Sequence, residues 1–490
     1  MPSNFKSDDS FLRKLAVGAA GTNQTIERLT ALGFNPIELE RGSTGFKIWK
    51  KIKIKRIRVP DVLCLNTGVR FESRGKTKLE ISMSHSLNDP NRAWDVGMRD
   101  DDFVSISVFD QSLENPTDVK LVSPVHFVKV ADMRQIFAEG QVLTTVPKGF
   151  EEGSEIRAIW PSATANAESV VTEIDDKNVT LEQVASGRKQ RIKLARSKGI
   201  LLESQVKEGE RVYANQIVAS VIPVATVLAP PAIVKEEFFI QKLTSVNLSE
   251  RYGAAKALRF RGFDGARVVL EGRLTDTDEN IYVQLEAAAA LASINQESAW
   301  EFLESRIRAE PMVVPLETQL ETIIVASEIR HERSEALLIE VLEDVERDDE
   351  LRAGAAWALG QFETNTAAKA LVNTFNATSR EVKTEAARAL LQISGQQIPF
   401  LVDLLGSADT EKRDGLAWVL AKAGRFDPNV LLGGGDDNLR RWIAYIVGQG
   451  KDRFSDEEIE KLRATDSEVY FAASVLWQIL SSWVDNLGEY

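Results

Sequence analysis

The chain has 490 residues, of which 43% are hydrophobic and 27% charged, with a formal net charge of −13 at pH 7 and a single cysteine, Cys64. This length exceeds one ordinary core and implies about three domains, and no apolar run approaches the roughly 20 residues that span a bilayer. A lone cysteine excludes an intrachain disulfide and a thiolate-rich zinc cluster, and the opening MPSNFKSDDSFLRKL has no basic-then-apolar signal, so the expected location is the cytoplasm.

Taken in chain order, FLRKLAVGAAGTNQTIERLTALGF places apolar residues at helical spacing and stops at Gly33. Short alternating or apolar runs follow, IELER, KIKIKRIRV, VLCL, VRFESR and FVSISVF, and predict strands. Residues 1–138 are therefore expected to form one α/β domain. An acidic protein attracts nucleic acid only through a local basic patch. Seven of the twelve residues from Lys47 to Arg58 are basic, and Lys47, Lys51, Lys53, Lys55, Arg56 and Arg58 are the candidate nucleic-acid contacts. The plainer reading is an edge strand whose lysines discourage aggregation.

Directly after this strand come Pro60-Asp61 and then Glu72, Arg74 and Lys76. Alternate residues of a strand share a face, so Glu72, Arg74 and Lys76 should project to one side. Two carboxylates on neighbouring strands can share a hard divalent ion, Mg²⁺ or Mn²⁺, while a basic side chain serves a phosphate. Glu80, His85, Arg92, Asp95 and Arg99 follow, each reading alone as an ordinary surface group, with Trp94 as a core anchor. Asp100-Asp101-Asp102 reads as a helix cap or solvated turn.

Residues 10–110 resemble the core of the PD-(D/E)xK, or restriction-endonuclease-like, superfamily, which implies a helix before a mixed sheet with the motif on its second and third strands. The resemblance implies a catalytic set of Asp61, Glu72, Arg74 and Lys76, with Asp61 and Glu72 as metal ligands. Glu27 on the helix, or Glu38 or Glu40 on the first strand, would supply a third carboxylate. The position two after Glu72 is Arg74, not lysine, and an arginine does not readily give up a proton near neutral pH. Which of Arg74 and Lys76 takes the basic role stays open.

Residues 139–228 break into short β-rich segments separated by Gly, Pro and Asn, which predicts a small β barrel or sandwich. The run from Val170 to Ile222 resembles the sandwich-barrel hybrid domains of large RNA polymerase subunits. Gly209 reads as a turn glycine, and Arg188 to Lys198 as a basic, solvated hairpin. Pro230-Pro231 in ATVLAPPA marks a linker.

From residue 229 to 490, alanine-rich helical cores recur about every 30 residues, among them Ala353 to Leu359 and Thr384 to Leu390. Acidic or polar caps such as Asp348, Ser379 and Asp436 precede them. These repeats resemble the HEAT type, which implies an α-solenoid that binds a protein partner over a wide surface.

No GxxxxGK[ST], GxSxG or HExxH sequence is present. The expectation is a metal-dependent nuclease acting on DNA, in genome defence or DNA processing, with barrel and solenoid recognising substrate or partner. The rival expectation is a non-catalytic repeat scaffold with a degenerate nuclease-like domain. A bilin-directed solenoid enzyme is a third reading without a motif beyond the repeats.

Overall fold

A computed structural model describes residues 8–39, 57–112, 118–146, 155–260, 265–393, 395–423, 427, 429, 436–450 and 453–487. The chain divides into two compact units, with the main break between Ala290 and Leu291. Glu40, Lys47, Lys51, Lys53, Lys55 and Arg56 lie outside the described residues.

The first unit opens with helix α1 (Asp8–Ala31). Val17, Gly21, Thr25 and Leu29 recur every fourth residue and are buried, the stripe that fixes its inward face. Gly33, at φ +86°, ends it. Strands β1 (Pro36–Glu38), β2 (Val62–Cys64) and β3 (Arg70–Lys76) then form an antiparallel meander. Strand β4 (Ile81–Ser86) leaves this sheet, and β5 (Phe103–Gln111) returns to lie parallel to β3. β6 (Val119–Leu121) and β7 (His126–Lys129) both pair with β5 and complete a mixed sheet.

α1 covers the face of this sheet that carries Phe71, Ser73 and Gly75. The approach depends on glycine. A Cβ on Gly75 would lie 2.0 Å from the Val17 carbonyl oxygen, and one on Gly21 would lie 2.6 Å from the Gly75 nitrogen. Between them, the Thr25 hydroxyl sits 3.2 Å from that of Ser73 and 2.8 Å from that of Ser105, so polar groups in this dry contact satisfy one another.

The opposite face is covered by the middle of the chain. Helix α2 (Val130–Ala138) precedes β8 (Leu143–Thr145) and β9 (Glu155–Trp160), and β9 pairs with both β8 and β4. The pairing of β4 with β9 crosses the boundary expected at residue 138. One core cluster accordingly joins Val104 and Ile106 of β5 to Ile81, Met83, Trp94 and Trp160. Strands β10 (Ser162–Thr164), β11 (Ser169–Ile174), β12 (Asn178–Gln183), β13 (Lys189–Lys193), β14 (Glu203–Ser204), β15 (Arg211–Val212) and β16 (Ile217–Ser220) follow. They pair as β10-β16-β14 and β13-β12-β11-β15, each open at its edges among the described strands, and their inward residues enter the same cluster. Gly209 is a turn residue at φ +81°.

Four helices end the first unit: α3 (Glu236–Lys242), α4 (Leu248–Leu258), α5 (Arg267–Thr275) and α6 (Ile281–Ala292), the last reaching the break. α4 packs beneath β1 and β2, where the Tyr252 hydroxyl donates to the Leu39 carbonyl (3.2 Å) and Gly253 lies against Leu39 and Leu63. Helix α4 of the first unit thus serves as a floor for the N-terminal sheet.

The second unit is helical: α7 (Glu297–Arg308), α8 (Leu316–Ile329), α9 (Glu332–Glu343), α10 (Asp349–Leu359), α11 (Asn365–Asn373), α12 (Arg380–Gln392), α13 (Ile398–Ser407), α14 (Thr410–Ala423), α15 (Asp437–Gln449), α16 (Asp456–Thr465) and α17 (Ser467–Leu487). α8, α10, α12, α14, α15 and α17 pack in sequence as one layer, with α9, α11, α13 and α16 outside them. Asp348, Ser379 and Asp436 cap α10, α12 and α15 through bonds to Glu350, Val382 and Leu439 N–H groups. Arginines link successive inner helices at the same level: Arg413 to Asp436 (2.9 Å) and Arg440 to Asp466 (2.7 Å). Among the described residues, no helix is long and apolar enough to cross a membrane.

Candidate functional site

The registers place Asp61 across from Glu72. Val62 pairs with Phe71 on antiparallel strands, so the residue before Val62 faces the residue after Phe71. Residues so opposed share a face, with Cβ atoms roughly 5 Å apart. Asp61 is pinned there, since its Oδ2 accepts the Ser73 N–H at 2.6 Å and its carbonyl accepts the Leu39 N–H at 2.7 Å. Pro60 is buried just before it.

Glu72, Arg74 and Lys76 project to the face away from α1, alongside Val104, Ile106 and Val108 of the parallel neighbour. Arg74 Nη2 lies 2.6 Å from Glu72 Oε1, with side chains 41% and 14% exposed. Its Nε also points at Met83 Sδ, 3.5 Å away. Lys76 is more enclosed: Nζ donates to Ser82 Oγ at 2.8 Å and to the Ser82 carbonyl at 3.3 Å. Burial, reinforced by the positive charge of Arg74, lowers its pKa to about 8, although Glu80 pulls the other way. Lys76 is therefore an amine that changes charge close to neutral pH, which Arg74 cannot do.

Other expected members lie elsewhere. Glu27 is exposed on α1 and accepts from Gln24 (3.1 Å). α1 and Glu72 occupy opposite faces of β3, so a carboxylate from this helix cannot join Asp61 and Glu72. Glu38 pairs with Val62, which sets it on the α1 side of the sheet as well. Arg58 is exposed, two residues before Pro60. Among the described residues no group of three or more His, Cys, Asp or Glu is placed to hold a metal ion. His85 belongs to an aromatic cluster, where it accepts the Trp94 N–H (3.3 Å) and packs edge-on to Phe137. Asp95 pairs with Arg134 (2.7 Å), and Arg92 with Glu155.

The acidic triplet corrects the expectation of a solvated turn or cap. Asp102 is fully buried and bound by Arg70, whose Nη2 lies 2.5 Å away, and by Arg99, whose N–H donates at 2.6 Å. Arg70 reaches on to Ser249 Oγ (2.6 Å), and Ser249 donates to the Gly97 carbonyl (2.6 Å). This network ties the sheet to α4. Sequence reading passed over Arg70, whose signal was a fourth charged residue at the alternate spacing of Glu72, Arg74 and Lys76.

Comparison with known proteins assigns part of the chain. The family model for HEAT repeats matches residues 316–391 and 335–421. None of the curated proteins compared with the chain matches it. Among solved structures, the complex of CpcE and CpcF of phycocyanin lyase from Nostoc sp. PCC7120 is similar at 19% identity and a TM-score of 0.24, over 48% of this chain and 94% of that one. Human deoxyhypusine hydroxylase is similar at 18% and 0.19, over 44% and 84%. The Cnd3–Cnd2 condensin subcomplex of S. pombe is similar at 17% and 0.26, over 52% and 38%. At such TM-scores the assignment rests on the family model, and the C-terminal region of this chain carries HEAT repeats over residues 316–421.

Proposed function

We propose that the chain is a metal-dependent nuclease of the cytoplasm, cleaving phosphodiester bonds of DNA, with its HEAT repeats engaging a protein partner. The observation that carries this reading is the pairing of Asp61 with Glu72 on one face of the sheet that also bears Lys76 with its lowered pKa. The order of the sheet supports it: an antiparallel meander, β1 to β3, followed by a parallel β5, with α1 on one face, agrees with the mixed sheet that the PD-(D/E)xK resemblance implies.

Two carboxylates are enough oxygen donors for Mg²⁺ or Mn²⁺, because such ions keep several waters and take further oxygens from the substrate phosphate. When bound, the ion supplies charge stabilisation at the phosphoryl oxygens. Asp61 is held in place by the Ser73 N–H and Glu72 by the strand itself. Arg74, the more exposed partner of Glu72, has room to turn toward a phosphate. Lys76 is suited to moving a proton at Nζ, since its pKa of about 8 leaves a useful fraction of free amine.

The second reading, a repeat scaffold with an inert N-terminal sheet, is favoured by the close Glu72–Arg74 ion pair and by the lack of a third described carboxylate. Manganese titration followed by electron paramagnetic resonance separates the two. The nuclease reading expects Mn²⁺ binding by the full chain that is lost in Asp61→Ala and Glu72→Gln. Under the scaffold reading the native chain takes up no more Mn²⁺ than either variant.

A further inference from the structure

The net negative charge of this protein comes from residues 291–490, which make up nearly all of its second unit. Residues 291–490 hold 20 Lys and Arg against 35 Asp and Glu, a net of −15, whereas residues 1–290 hold 40 against 38, a net of +2. An acidic surface of this size draws in basic partners.

From α10 onward the inner helices repeat one surface pattern, whereas the ninth residue of α8, Ile324, is buried. The ninth residue of α10, α12, α14 and α15 is Trp357, Arg388, Trp418 and Tyr445, none of them buried, and Val475 holds the same place in α17. Positions that stay at least partly accessible from α10 to α17 lie away from the faces that neighbouring helices cover most closely. They form the open side of the layer. On α17 this side is apolar, with Phe471 69% and Ile479 49% exposed.

Between α12 and α14 the open side sinks into a cleft of about 470 Å³, with Phe375 and Trp418 among its lining. Gly415 makes room for the Phe375 ring, because a Cβ there would lie 2.4 Å from it. Glu411 and Asp414 stand exposed on the α14 wall. On the α12 wall Arg388 is paired with Glu385 of its own helix, and Lys383 is the other lining cation, so the acidic groups of the cleft are gathered on the α14 wall. A cation already lies over the Trp418 ring: Lys422, one turn on and outside the lining, is 5.3 Å from its centroid, within cation–π range.

We propose that this cleft receives an arginine side chain from an extended, basic segment of a protein partner. The guanidinium packs on Trp418 and Phe375 and turns its charge to Asp414 and Glu411. A planar guanidinium suits this site because it stacks on aromatic faces and pairs with carboxylates at once.

The test is fluorescence anisotropy of the full chain with a fluorescein-labelled extended peptide that carries arginines between leucines, beside the same peptide with citrulline for arginine. Binding should weaken about tenfold or more with citrulline, and similarly in Trp418→Ala and in the charge reversal Asp414→Lys. Asp414 is exposed, so this variant retains its fold, which thermal unfolding of both variants checks. The proposal is overturned if the arginine peptide does not bind, if citrulline binds equally well, or if both variants bind as the native chain does. Sedimentation that finds a native dimer abolished by Trp418→Ala would assign the cleft to a second copy and likewise overturn it.

Discussion

Four charged side chains alternate along one face of β3, and each is held differently. Arg70 is buried against Asp102, at 2% and 0% exposure, with Arg99 and Ser249 completing the shell. Asp102→Asn leaves the Arg70 guanidinium without its counter-charge in a dry site, and urea unfolding should register a loss of about 3–5 kcal/mol. Lys76 has the opposite relation to its surroundings, since burial opposes its charge and lowers its pKa to about 8 from 10.5. Between these values the unfolded chain binds more protons than the folded one, so stability rises with pH across that window. The penalty, about 3 kcal/mol, is fully present below pH 8 and relieved by pH 10.5. Lys76→Met should flatten the rise, as read from urea midpoints at successive pH values.

At the scale of elements, the contact between α1 and β3 positions the candidate site, because it fixes which face of β3 remains for Glu72. Gly75→Ala drives a methyl group to 2.0 Å from the Val17 carbonyl and forces the helix outward. The expected cost is about 1–3 kcal/mol by denaturant unfolding, with loss of any activity that depends on the strand's position. This helix was legible in the sequence because its apolar spacing and Gly33 stop are local signals. β2 and β3 were legible for the same reason, and the face shared by Glu72, Arg74 and Lys76 followed from strand geometry. The pairing of β4 with β9 was not, since partners some seventy residues apart are chosen by packing and leave no local mark. Asp102 was hidden because three consecutive aspartates look alike, and only the fold selects which one is buried. The place of Glu27 was likewise settled by which side of the sheet α1 covers.

For the whole molecule, the repeat region was the most legible part, because a period near 30 residues is written many times over and each copy supports the others. Its caps at Asp348, Ser379 and Asp436 are where the sequence places them. The separation of charge between a near-neutral first unit and an acidic second unit would suit the proposed division of labour, with phosphate chemistry in one and recognition of a basic protein in the other. The central claim is the chemical competence of Asp61 and Glu72, and cleavage tests it most directly. The full chain would be incubated with supercoiled plasmid and with single-stranded DNA in Mg²⁺, Mn²⁺ or EDTA, beside Asp61→Ala and Glu72→Gln. The account predicts cleavage that requires the metal and falls by roughly a hundredfold or more in both variants while their folding is retained. A native chain that cuts neither substrate with either metal, or a Glu72→Gln chain that cuts as fast as the native one, would contradict it.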